Sequence, residues 1–166
     1  MKSPNLRALI GLCLVPKIGA TRIRSLLAEV DEVEDIFRLS REELQRVYGI
    51  GASLAGEISS FNNWREVDRE LETTERIGAT IITPYDHPYP ARLRQIYDPP
   101  LLLWVLGDLS ALDTPSVAIV GTRKASSYGL QKAEYFTAQL ADQGLTIVSG
   151  LAYGIDSVAP RTAVEN

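Results

Sequence analysis

Histidine and cysteine are almost missing from this chain: His87 and Cys13 are the only ones in 166 residues. One cysteine cannot build a disulfide framework, which makes a reducing cytoplasm the default compartment. Without a cluster of histidine and cysteine there is no ligand set for a metal, and neither metal nor cofactor is expected. A Ser/His/acid triad is equally out of reach, so no catalytic residue is assigned. His87, between Asp86 and Pro88, reads as a loop residue, and Cys13, inside the apolar run Leu9–Val15, as a small core residue. Long apolar runs are lacking too, which excludes a membrane-spanning helix. Lys2 and Arg7 before Ala8–Val15 imitate a signal peptide, but that run is short and flows into Pro16-Lys17-Ile18-Gly19 without a cleavage site. Finally, there is no basic excess. The net charge is −4, with the acidity concentrated between residues 66 and 115, so any affinity for nucleic acid has to be local.

What is present centres on Ser116–Asp156, which reads SVAIVGTRKASSYG, a helical run, then LTIVSGLAYGID. Val117–Val120 and Leu145–Val148 are short β-branched strands, apolar throughout, as expected where both faces of a sheet are covered. Between them Leu130, Ala133, Phe136, Thr137, Leu140 and Ala141 recur at the spacing of one helix face, and Gly144 ends the helix. Strand, loop, helix, strand is a βαβ unit, so both loops leave the carboxyl edge of neighbouring parallel strands, where α/β sheets bind ligands. The first loop offers Gly121 as a turn, hydroxyls on Thr122, Ser126 and Ser127, and the cations Arg123 and Lys124. Ser149 and Gly150 on the next strand bring small donors alongside, and Gly154 precedes Asp156, read as the N-cap of a further helix. Small donors with an arginine fork suit a phosphate. Neither G-x-x-x-x-G-K-[ST] nor G-x-G-x-x-G is present, so the common nucleotide fingerprints do not apply.

Residues 1–62 read as an all-helical module with an internal echo: VPKIGATRIRSLL (Val15–Leu27) and VYGIGASLAGEI (Val47–Ile58). The two copies resemble a tandem helix-hairpin-helix pair of the SAM-like kind. Such hairpins contact a nucleic-acid backbone through free N–H groups at helix starts. Lys17, Gly19, Gly49 and Gly51 are the candidate contacts, with Arg22, Arg24 and Arg46 nearby. The alternative is that the glycines only cap helices in a small interaction bundle. Phe61-Asn62-Asn63 breaks the pattern and marks a boundary. Residues 63–166 then begin with a charged helix, Trp64–Ile77, a strand at Ala79–Thr83, a proline-punctuated loop with a helical turn from Ala91 to Tyr97, and a strand at Leu101–Leu106. Tyr89, Tyr97 and Trp104 are read as packing residues.

GTRKASSYG, Gly144 and SGLAYGID together resemble the DNA-processing protein A family, also called Smf, whose pattern is G-[ST]-R-x-x-S-x-Y-G followed by S-G-x-A-x-G-I-D. The segment YPARLRQIYDPPLLLWVLGDLSAL agrees with the family in order. The resemblance implies an α/β fold, with an extended Rossmann-like sheet after the helix-hairpin-helix domain. It implies a non-enzymatic protein that binds and protects single-stranded DNA in natural transformation, forms homodimers and loads RecA recombinase. The matching positions are Gly121, Thr122, Arg123, Ser126, Tyr128, Ser149, Gly150 and Gly154, with Arg123 the expected phosphate ligand. Two departures stand out. Pro160 occupies the place of a usual histidine and is expected to bend or shorten its helix. The chain also stops soon after the second βαβ strand, which reads as a truncated sheet and an incomplete copy. The competing function is a Rossmann-like nucleotide or phosphoribosyl hydrolase using the same two loops.

Overall fold

The computed structural model describes residues 5–165, which divide after Leu109 into two compact units. The first begins with helices α1 (Leu6–Cys13) and α2 (Ala20–Leu27), a 3-10 turn at Val33–Arg38, then α3 (Arg41–Arg46), α4 (Ala52–Ser59) and α5 (Trp64–Arg76). Each of the early helices is too short to persist alone in water, so packing must hold them. Leu9, Leu12, Ile23, Leu26, Ile36, Leu44, Ile58 and Val67 form that packing, all fully buried. Cys13 does not join them; it sits at the end of α1 on the exposed side. The same unit continues with strand β1 (Thr80–Ile82), α6 (Ala91–Arg94) and β2 (Leu103–Val105), the two strands pairing antiparallel.

The expected boundary at residues 62–63 falls inside this unit. Phe37, Phe61 and Trp64 form a triangle of rings 4.9 to 5.4 Å apart, and a Cβ on Gly11 would lie 3.0 Å from the Trp64 ring. Glycine at that position lets α5 close onto α1. Arg7 then lies over Trp64 at 4.7 Å and grips Asp68 at 2.6 Å. Its hydrogen bond holds the Asp68 carboxyl below its ordinary value. A carboxylate lowered by folding stabilises above its unfolded pKa and stops doing so as pH falls through the lowered one. Asp68→Asn should therefore slightly reduce the melting temperature near neutrality. That deficit should vanish by about pH 2, below the carboxylate range; a deficit persisting there would show that the clasp is not ionic.

Of the aromatics read as packing residues, Tyr89 is buried and donates to the Pro100 carbonyl at 2.8 Å. Trp104 is partly exposed and bonds Thr74 Oγ1 at 3.0 Å. Tyr97, however, is 97% exposed, because α6 ends at Arg94 and leaves it on a loop. His87 lies on an exposed loop as well.

The second unit is the expected βαβ. Strand β3 (Ser116–Ala118) pairs in parallel with β4 (Thr146–Val148), and the helices α7 (Ser127–Asp142) and α8 (Ile155–Glu165) follow them. Gly144 ends α7 with φ +75°. The chain is thus α/β and Rossmann-like after a helical start, its strands forming one antiparallel and one parallel pair among the described residues. Full coverage of the strands does not hold here: Val120 is 70% and Val148 49% exposed. Phe136 also departs from its expected buried face and is exposed, since only Ala133 and Thr137 of α7 are buried. Among the described residues no helix is long and apolar enough to cross a membrane.

Candidate nucleic-acid interface

The loops after β3 and β4 are locked together by contacts too close for ordinary side chains. Gly154 has φ +84°, and a Cβ there would come within 2.2 Å of the Thr122 carbonyl oxygen and 2.8 Å of that of Arg123. A Cβ on Gly121 would meet the Ile155 side chain at 2.6 Å. The Gly121 N–H donates to Asp156 Oδ1 at 2.9 Å, and the Ile155 N–H to the Thr122 carbonyl at 3.4 Å. Asp156 is therefore no N-cap. Helix α8 begins one residue before it, at Ile155, and its buried carboxylate reaches back to the other loop.

Pro160 does not shorten the helix: α8 runs through it from Ile155 to Glu165. Proline lacks the N–H that would bond the carbonyl four residues earlier, that of Asp156. The Ser149 hydroxyl supplies a replacement, lying 3.1 Å from the Asp156 carbonyl and 2.8 Å from that of Ile119. That single proton is thereby committed inside the protein. A Cβ on Gly150 would lie 3.0 Å from Asp156 Oδ2, so Ser149, Gly150, Gly121 and Gly154 together act as the frame of the site.

What the frame presents is the start of α7. Ser126 caps the helix, its hydroxyl accepting the Gly129 N–H at 3.2 Å. Thr122 Oγ1 accepts the Lys124 N–H at 3.2 Å. The amides of Ser127 and Tyr128 make no hydrogen bond among the described residues. Arg123, Lys124 and Ser127 are exposed, and neither cation is in an ion pair there. Two open amides at the positive end of a 16-residue helix, beside two unpaired cations, are the donors and charge that an anion can use.

The internal echo of the first unit is real in the backbone. Lys17 has φ +64° and Gly49 φ +84°, each in the left-handed region. The Ile18 amide bonds the Val15 carbonyl as Ile50 bonds Val47, and Gly19 and Gly51 then cap α2 and α4 without a side chain. Arg22 joins the copies: it donates to the Lys17 carbonyl at 2.9 Å, and a Cβ on Gly49 would lie 3.5 Å from its Cγ. Lys17, Gly19, Gly49 and Gly51 are all exposed, as is Tyr48 at 89%. Arg24 is not available in the same way, being bound to the Asp98 carboxylate and, at 3.0 Å, to the Pro99 carbonyl.

The family model for DNA recombination-mediator protein A matches residues 80–166, and that for a SAM-like helix-hairpin-helix tandem matches residues 7–60. A Mycobacterium tuberculosis relative carrying the DprA name is 34% identical over the whole of this chain and 44% of its own length. The chain belongs to the DNA recombination-mediator protein A family. The DNA processing protein DprA of Bacillus subtilis is 35% identical over 69% of this chain and 38% of its own. In structure, DprA of Streptococcus pneumoniae superposes with a TM-score of 0.69 at 27% identity, over 98% of this chain and 55% of that one. The chain spans about half the length of the DprA proteins it matches, or less. Its two family matches leave residues 61–79 between them, a division by ancestry that differs from the division by packing at Leu109.

Sequence reasoning missed the link from Asp156 to Gly121, which joins positions 35 residues apart and which no local pattern announces. Lys132, one turn along α7 from Tyr128, was not singled out either, although its i, i+4 spacing from an aromatic was a usable signal.

Proposed function

We propose that this chain is a non-enzymatic binder of single-stranded DNA, holding the strand by its backbone at the start of α7. The observation that carries the reading is the pair of unpaired cations, Arg123 and Lys124, beside the open amides of Ser127 and Tyr128. Gly121, Ser149, Gly150 and Gly154 support that loop from behind, while Thr122 and Ser126 fix its turns. DNA handling and protection in natural transformation and recombination, homodimerisation, RecA loading and a cytoplasmic location are proposed on the strength of the family resemblance. A domain division at residues 62–63 is kept as a functional one: the helix-hairpin-helix part adds backbone contacts at Lys17, Gly19, Gly49 and Gly51. A mononucleotide hydrolase built on the same loops would need an acid or base, and the nearest carboxylate, Asp156, is buried and bonded to the Gly121 amide.

Binding of a dT oligonucleotide across a salt series tests the assignment. Arg123→Ala should weaken binding by about tenfold at low salt, the worth of a charge-assisted contact. It should also lower the slope of log K against log salt by about 0.7, the share of one phosphate on a single strand. Equal affinity and slope for both proteins would remove Arg123 from the site. Turnover of a mononucleotide would favour the hydrolase instead.

A further inference from the structure

We infer that the anion site at the start of α7 continues along the helix as a base-stacking and phosphate step made by Tyr128 and Lys132, which accommodates the next nucleotide of a single strand. The inference rests on the reading of Arg123 and Lys124 as backbone ligands and adds to it a contact with a base. Tyr128 is 69% exposed although it is a large aromatic at the foot of a helix. Its neighbour one turn on, Lys132, holds its ammonium 5.5 Å from the Tyr128 ring centre and 5.7 Å from that of Tyr135. Residues 128, 132 and 135 share one side of the helix by spacing alone.

Lys132 makes no ion pair among the described residues. A lysine over aromatic faces is attracted by the ring quadrupoles, which orders a side chain that would otherwise sweep through solvent. The result is a cation held about one helical turn, ~5.4 Å, beyond Tyr128, which stands in the sequence between it and the loop cations. Alternating cations and exposed rings are what a single strand requires, because its phosphates and its unstacked bases need partners in turn. A duplex hides its base faces and gains nothing from the ring. The flank of α7 that faces α8, which Tyr135 also borders, carries Glu134 and Glu165 with Arg161, and mixed charge offers a phosphate chain no consistent path. The cation beside Tyr128 is Lys132.

The test compares the full chain with Tyr128→Ala, Tyr128→Phe, Lys132→Ala and Arg123→Ala on two ligands of equal length: a dT oligonucleotide and its abasic counterpart, which keeps the phosphates and lacks the bases. Wild type should bind the dT strand about tenfold more tightly than the abasic strand, the low end of a stacking contribution. Tyr128→Ala should lose that preference and Tyr128→Phe keep it. Lys132→Ala should weaken both ligands and lower the salt slope by about 0.7. Both positions are exposed, and circular dichroism checks that the variants fold. If wild type binds both ligands equally while Arg123→Ala weakens both, the backbone reading stands and the stacking step is wrong. Binding to neither ligand overturns both. A Tyr128→Ala protein that keeps the preference assigns the stacking elsewhere and overturns the inference.

Discussion

Gly154→Ala should destabilise the second unit by about 3 kcal/mol, from ~1–2 kcal/mol for a left-handed non-glycine residue and ~1–3 kcal/mol for overpacking. The new methyl would lie 2.2 Å from the Thr122 carbonyl oxygen. No rotamer change relieves that contact, since both partners are backbone. The loop carrying Arg123 has to move, and affinity for single-stranded DNA should fall with it. Both tryptophans, Trp64 and Trp104, belong to the first unit, so indole fluorescence does not report directly on the second. Amide hydrogen exchange over residues 116–165 in a urea series is the suitable measurement. A change below about 0.5 kcal/mol, the size of an ordinary surface substitution, would mean that the loops are not locked as described.

Asp156→Ala should cost about 2–3 kcal/mol by the same measurement, the range for losing a charge-assisted hydrogen bond and leaving a donor without a partner. The buried carboxylate is the acceptor of the Gly121 amide at 2.9 Å. Because Gly121 starts the loop that carries Arg123, DNA affinity should drop even though Asp156 touches no ligand. Asp156→Asn separates this positioning role from charge. The amide keeps an acceptor at nearly the same place, so it should recover most of the stability and most of the affinity. An asparagine variant as impaired as alanine would show that charge, not the hydrogen bond, is what the site needs. Two neutral variants would show that the link is dispensable.

These two residues also show where reading from the chain alone runs out. Gly154 announces a turn, and it does have a positive φ. The turn is the smaller part of its role, because the space it leaves is filled by the backbone of a loop some 30 positions earlier, and that proximity has no local signature. Asp156 looks like an N-cap because capping residues precede apolar helical runs. Its helix began one residue sooner, and a better use for the carboxylate lay across the sheet edge. Ser149 reads as a ligand because it is a small donor at a strand end; in the fold its proton is shared by the carbonyls of Ile119 and of Asp156, the second left without its helical partner by Pro160. Arg24 had the composition of a phosphate contact until Asp98 folded against it.

The βαβ order, the ends of α7 and the paired hairpins were determined by the sequence, since periodicity, a capping serine and glycine stops act within a few residues of the backbone they shape. So was the set of small and basic residues at Gly121–Tyr128. Only the tertiary structure decided which of them face outward. It committed Gly121, Ser149, Gly150 and Gly154 to holding two loops together and left Arg123, Lys124 and the first amides of α7 without partners among the described residues. The physical reason is that buried polar groups must find partners wherever the fold brings them, and only those left over at the surface remain for binding.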